Sequence, residues 1–449
     1  MNYKNRREFL SLCLKGGVSM AALTSMQLKA MTSLATPAAS AGDFKALVCI
    51  FLKGGNDSFN MLIPQSGDPL DAYLNSRQNL AVSDAIAINP TTAVDGGIGL
   101  NPALSPIAPL FNAQNLAVVS GVGSLVAPIT LEQYKAKSAA IPNNLFSHND
   151  QQSTWMQGRE KESINYGWGG RILELLNQNN NFGSNISLSG NNLWQTGPNA
   201  IPFAMNKSGI TRVHAYNNSE SPRTQALRQQ LEQMFNQASH PLAKSYSDKL
   251  DTSIGNTEQL NTALESASEF TDVFSDSNLS KQLLAVAKTL SVQSQFGVGR
   301  QVFFVGMGGF DTHDDQNVNH PNLLMQLSQA MAEFDGAMST LGLSNQVTTF
   351  TMSDFGRTLS SNGDGTDHGW AGNQLVMGGA VNGGEIYGSV IEQALDSAYD
   401  VGGGRMIPQV ANEQYFASLA RWFGLSDSEV LDLFPSLSNF NQTHLSMFS

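Results

Sequence analysis

Ala46–Leu52 is a run of strand length that is apolar at nearly every position instead of alternating. That is the pattern of a central strand covered on both faces, as in a parallel sheet, and it restricts the chain more than any other feature. Gln301–Val305 and Gln346–Thr351 are further runs of strand length. Between them, Leu323–Leu341 carries Leu324, Leu327, Met331, Phe334 and Met338 at spacings of three or four, the mark of a core-facing helix. Strand, helix and strand in alternation predict an α/β fold: a doubly wound, mostly parallel sheet with helices on both faces. Asn115–Gly121 reads as another buried strand, Leu375–Met377 as a short apolar run, and Tyr415–Phe423 as a terminal helix.

The runs end in polar residues of one kind. Ala46–Leu52 leads into Gly54-Gly55-Asn56-Asp57, whose glycines permit a sharp turn. Gln301–Val305 leads to Gly309-Phe310-Asp311-Thr312-His313, and Gln346–Thr351 to Ser353-Asp354-Phe355-Gly356-Arg357-Thr358. Thr366-Asp367-His368-Gly369 follows. In open α/β sheets, ligands gather outside the carboxyl ends of the strands. Oxygen and nitrogen donors collected there predict a divalent metal, held by Asp57, Asp311, His313, Asp354, Asp367 and His368. That many donors suffices for two ions about 3.5–4 Å apart. The excess of acids leaves magnesium, manganese and calcium open beside zinc.

Each residue also has a simpler reading. Asp311 and His313 share a face of an extended chain, which suits convergence on a metal and equally a plain Asp–His hydrogen bond. Asp354 pairs with Arg357 in one reading; in another, Arg357 binds an oxyanion with two N–H groups. Asp314, Asp315 and Asp364 read as solvated loop acids. His148 is read equally as a packing or capping residue and as a ligand. Ser147 before it is placed to cap a helix, whose free N–H groups would face an anion or a nucleophile. Asp354-Phe355-Gly356 occurs without a Gly-rich nucleotide loop or a His-Arg-Asp motif, which excludes a protein kinase.

Residues 65–115 are loop-rich and 176–200 are rich in Asn and Gly. From Ser221 to Leu290 the chain reads as polar helix, with Leu227, Leu231 and Phe235 four apart, and 205–280 is expected to be a helical insertion. His214 and His240, without acidic neighbours, are expected at the surface. Lys281–Phe296 is expected to be a core-facing helix.

The N-terminus reads as an address. Asn5-Arg6-Arg7-Glu8-Phe9-Leu10 has the form of a twin-arginine export signal, followed by a weakly apolar Gly16–Leu23 and an Ala39-Ser40-Ala41 cleavage site. The expected mature chain is 42–449, periplasmic or secreted, with the twin-arginine translocase as its partner during export. Removing residues 1–41 takes away five Lys/Arg and one Glu and moves the formal charge from −12 to −16. Such an acidic chain is not expected to bind nucleic acid. No run of 18 or more apolar residues follows the signal, so no stable membrane insertion is expected after cleavage. Cys49 alone remains in the mature chain, so it has no intramolecular disulfide, and it reads as a small buried hydrophobe.

Taken in order, the four polar blocks, the twin-arginine start and the Gly-Gly-x-x-x-Gly-Gly-x-x-Tyr-Gly stretch at 378–388 resemble the secreted domain-of-unknown-function family 1501. That family looks like part of the alkaline phosphatase and sulfatase superfamily. The resemblance implies a doubly wound sheet with metal ligands at strand ends, matched by Asp57, Asp311, His313, Asp354 and His368. The chain departs from the superfamily in having Asp-x-His for Asp-x-x-x-His and Phe355 for a histidine after Asp354, which alters or removes one metal position. No Cys/Ser-x-Pro-x-Arg motif is present, which argues against a formylglycine sulfatase.

The expected function is metal-dependent hydrolysis of a phosphate or sulfate ester, in a small molecule or a polymer. Arg357 would stabilise the oxyanion, and Ser147 or Thr154, candidates by position, would attack. A second reading is a non-catalytic exported binding or assembly protein with a degenerate site. A third is a metal-dependent isomerase or mutase.

Overall fold

β1 (Lys45–Leu52) realises the continuous apolar run, and its side chains divide alternately between two cores. Ala46, Val48, Ile50 and Leu52 pack with Leu283 and Val286 of the helix Asn278–Ser291 and with Leu324, Leu327 and Met331 of the helix Gln316–Thr340. Leu47, Cys49 and Phe51 pack on the other face with Trp168 and Ile172 of the helix Trp168–Leu175 and with Tyr415, Phe416 and Leu419 of the helix Asn412–Phe423. Strand periodicity of two thus gives each face of the sheet its own helical cover. Cys49 is fully buried, and burial pushes its thiol pKa well up, so it packs as a hydrophobe.

The structure is a computed structural model that describes residues 43–160, 164–178, 182–207, 221–237 and 240–448. The export signal read at 1–41 and His214 lie outside the described residues.

β2 (Leu62–Pro64), β3 (Ile86–Ile88) and β4 (Ile98–Leu100) form a small antiparallel sheet within the loop-rich stretch. The main sheet adds β5 (Leu116–Gly123), β6 (Asn185–Ser187), β7 (Phe203–Ala204), β8 (Arg300–Met307), β9 (Val347–Ser353), β10 (Gly372–Met377), β11 (Ile386–Gly388) and β12 (Val410–Ala411). Its order is β11-β5-β10-β9-β1-β8-β6-β7, with β12 also on β5. Among the described strands of this sheet, β10 alone runs against the rest: it is antiparallel to both β9 and β5, and the other pairings are parallel. The expected doubly wound, mostly parallel sheet is therefore what the chain forms.

Register fixes the site. Leu52 at the end of β1 lies level with Met307 of β8 and Ser353 of β9, so the polar segments after all three strands leave from one edge. Because β10 is antiparallel, the residues before it reach that same edge. An isolated antiparallel bridge between Arg357 and His368 ties these two segments together.

Three helices bear on the expected helical pattern. Gln316–Thr340 begins seven residues before the apolar spacing does, with Pro321 in its second turn. Its early turns are buried through polar groups, Gln316 and His320, which a count of apolar residues does not register. In the polar stretch, the helices Pro222–Gln237 and Pro241–Leu264 form, but Leu227, Met234, Leu242 and Tyr246 stay exposed. His240 caps the second of these helices at the surface.

Candidate metal centre

Gly54 and Gly55 make the crowded turn after β1 possible. Both have positive φ, +115° and +79°, a backbone conformation that costs glycine little. A Cβ on Gly54 would lie 2.5 Å from the Asp311 backbone nitrogen, and one on Gly55 would lie 2.4 Å from the Phe355 ring. The turn thus sits directly against the loops after β8 and β9.

Above it, three imidazoles converge on one carboxylate. Asp311 Oδ1 lies 3.0 Å from His313 Nε2, 3.5 Å from His148 Nε2 and 3.5 Å from His368 Nε2. His313 Nε2 and His368 Nε2 are 3.1 Å apart. Asp311, His148 and His368 each place one ligand atom within 4.8 Å of the others, a group able to hold a metal ion. His148 enters from the first position of the helix His148–Gln157, a contribution the strand-end pattern does not announce. His148 Nε2 is buried and has no hydrogen-bond partner.

The other ring nitrogen of each histidine meets an oxygen. His148 Nδ1 lies 2.7 Å from Asp354 Oδ2, His313 Nδ1 lies 3.2 Å from Asp367 Oδ1, and His368 Nδ1 lies 2.7 Å from the Phe146 carbonyl oxygen. Each of these oxygens can accept from Nδ1, and the tautomer protonated there leaves the Nε2 lone pair free for an ion. This is the arrangement in which outer partners orient metal-ligating histidines and raise their basicity. The donor set therefore fits a divalent cation on chemistry as well as position.

Several expected roles change. Asp354 is fully buried, and its Oδ2 accepts from Gly54 N, His148 Nδ1 and Gln152 Nε2, so it orients His148. Asp367 accepts from His313 and from Asn362, and so orients His313. Asp57 is outside the cluster: its carboxylate is completely buried and paired with Arg77 and Gln316. Its partner Arg77 comes from the end of the helix Gly67–Arg77.

Arg357 is likewise no oxyanion clamp. Its guanidinium is completely buried and donates to Asp311 Oδ1 at 2.8 Å, to Gly54 O at 3.0 Å and to Thr366. Its partner is Asp311, not Asp354, and it holds that carboxylate toward the histidines. Burial pushes the Asp311 carboxyl up, but the hydrogen bond and charge of Arg357, with His313 and His148, hold it below the usual carboxylate range. Burial pushes the His368 pKa down, with the Phe146 carbonyl opposing.

Neither expected nucleophile touches the histidines. Thr154 Oγ1 donates to the Asp150 carbonyl at 3.0 Å, and its position six residues beyond His148 puts it about 9 Å further along the helix axis. Ser147 Oγ donates to Asp150 Oδ2 at 2.5 Å. The hydrogen bonds of Ser147 and Asn144 draw the Asp150 carboxyl pKa down.

Phe355 packs between two of the ligands, its ring centroid 4.9 Å from that of His148 and 4.7 Å from that of His368. It is an apolar ring packed against both imidazoles. Sequence reasoning missed Arg77, Gln152, Gln316 and His320. Gln152 was within reach of it, four residues after His148 on the same helix face. Arg77 had no such signal, because its pairing with Asp57 exists only in the fold.

Solved structures similar to the chain include Ps i-CgsB, at 12% identity over 89% of this chain and 77% of that one, with a TM-score of 0.39. The PsFucS1 sulfatase from Pseudoalteromonas sp. matches at 9% identity over 91% and 72%, with a TM-score of 0.36. Alkaline phosphatase PafA matches at 10% identity over 70% and 63%, with a TM-score of 0.23. No curated protein matches the chain. The model of the family described as "Protein of unknown function (DUF1501)" matches residues 44–433, and the chain belongs to that family.

Proposed function

We propose that the protein is an exported, metal-dependent hydrolase of phosphate or sulfate esters. One observation carries the reading: three imidazole Nε2 atoms and one carboxylate oxygen meet at the solvent-facing edge of the sheet, with side chains 26% to 47% exposed. A substrate can reach donors placed in this way. When bound, a divalent ion there polarises a phosphoryl or sulfuryl oxygen.

The chain's own residues do the rest. Asp354, Asp367 and the Phe146 carbonyl keep the Nδ1 protons in place, and Arg357 keeps Asp311 turned toward the imidazoles. Ser147, next to His148, is the expected hydroxyl that stays near the centre, and Asp150 is placed to accept its proton. Export by the twin-arginine translocase to the periplasm or beyond, with removal of 1–41, is part of the proposal. No helix of the described residues is long and apolar enough to cross a membrane.

The test is a screen of the metal-loaded mature chain against phosphomonoesters, phosphodiesters, sulfate esters and phosphosugars. Hydrolysis that falls by orders of magnitude in His368→Ala supports the reading. Turnover of phosphosugars alone, without release of phosphate, moves it to a mutase. A fully loaded protein inert toward the whole panel is a binding or assembly protein.

A further inference from the structure

We infer that this centre holds a single nitrogen-preferring ion of the zinc class, and that His148 is one of its ligands, beside His313, His368 and Asp311. The inference rests on the metal part of the reading above and not on its hydrolase part.

The first argument is the donor count. The sequence offers four aspartates, which would suit two oxygen-liganded ions. In the fold, Asp57 Oδ2 is paired with Arg77, Asp354 Oδ2 lies against His148 Nδ1, and Asp367 Oδ1 lies against His313 Nδ1. Asp311 is the one sequence-predicted acid left facing the histidines. Phe355, between His148 and His368, offers no lone pair where a further donor would sit. What converges is three nitrogens and one oxygen, a complement for one ion.

The second argument is spacing. For donors about 2.0–2.1 Å from a central ion, four- and five-coordinate geometries place neighbouring donors about 2.9–3.6 Å apart. Asp311 Oδ1 lies 3.0, 3.5 and 3.5 Å from the three Nε2 atoms, and His313 Nε2 lies 3.1 Å from His368 Nε2. A cation shared by His313 Nε2 and His368 Nε2 would hold the two rings at their 3.1 Å contact. The buried, unpartnered His148 Nε2 gains a partner by the same means.

The third argument is ligand type. Magnesium demands octahedral oxygen coordination, and calcium takes six to eight oxygens. Imidazole-rich sites suit zinc and its transition-metal neighbours. The structure thereby narrows the range the acid-heavy sequence left open.

The test measures metal directly. The mature chain, exported by its own signal and purified without chelator, is analysed for bound elements and then titrated with zinc against a competing chelator. The expected result is one equivalent of a zinc-class ion per chain, with magnesium and calcium unable to displace it. His148→Ala and His148→Gln are each expected to weaken zinc binding about 100-fold or more, since losing an outer partner alone costs about 10–100-fold. Cobalt(II) loading gives a second readout, because the visible spectrum reports the ligand set and should change in both variants. Two equivalents, a preference for magnesium or calcium, or unchanged zinc affinity in a folded His148 variant would overturn the inference and leave the hydrolase reading intact. A chain that binds no metal would overturn both.

Discussion

Asp57 and Asp311 follow neighbouring strands that end level with each other, yet the fold puts them to opposite uses. Asp57 is sealed below the edge, its charge matched by Arg77, with Gln316 also on the carboxylate. Asp311 is 47% exposed and faces three imidazoles and one buried arginine. Both follow a glycine pair, so the difference lies in what the rest of the chain brings to each. An internal cation pairs with Asp57 Oδ2, and complete burial keeps this carboxylate away from the exposed imidazoles. Asp311 shares its arginine with Gly54 and Thr366 and keeps a carboxylate oxygen among lone pairs. Both acids have an arginine partner, so the contrast is one of access: Asp57 is buried with Arg77, whereas Asp311 stays exposed among the imidazoles.

The sharpest way to break the comparison is to remove the exposed partner. Asp311→Asn should abolish metal-dependent turnover by about three orders of magnitude or more and sharply weaken metal retention, given the scale on which catalytic electrostatics act; element analysis beside kinetics reads both. Arg77→Met should do the opposite. It leaves Asp57 charged and buried, and should cost about 3–5 kcal/mol in denaturant unfolding while the folded fraction still binds metal. If the Arg77 variant lost metal without losing stability, the separation of the two acids would be wrong. Asp354→Asn lies between these: it disturbs the orientation of His148, and metal affinity should fall about 10–100-fold.

His320 sharpens the view of the buried layer by pH. It is fully buried against Asn56, and burial pushes its pKa down to about 4 from the ordinary 6.5, with Asp57 opposing and Arg77 and Arg357 reinforcing. The unfolded chain therefore takes up a proton that the folded chain refuses. Its stabilising share is complete above about pH 6.5 and is lost as pH falls toward 4, amounting to about 3 kcal/mol. Urea unfolding between pH 7 and 4 should show this loss in the wild type and not in His320→Gln. The smallest expected effect is Thr154→Val, which removes a bond to the helix's own carbonyl and should leave turnover within about twofold and stability within about 1 kcal/mol.

The site was legible where a residue's neighbours in sequence are also its neighbours in space. Asp311 and His313 follow β8 directly, and His368 lies near β10, so runs and their ends located them. Asp354 and Asp367 were also located, but not their roles: whether a carboxylate binds an ion or a histidine proton depends on a partner some fifty to two hundred residues away. His148 was read equally as a packing or capping residue and as a ligand, and only the fold shows its ring against Asp311 and His368. The expected hydroxyls are engaged locally, Ser147 with the Asp150 carboxylate and Thr154 with the Asp150 carbonyl, partners that a reading by position does not reveal.

The sequence by itself determined the sheet, because an unbroken apolar run such as Ala46–Leu52 can only be buried on both faces, and it determined that polar donors would crowd one edge of that sheet. Tertiary structure alone decided which donors face one another. A carboxylate becomes ligand, orienter or buried counter-ion according to the charge that packing brings within about 3 Å of it, and local pattern carries no record of that distance.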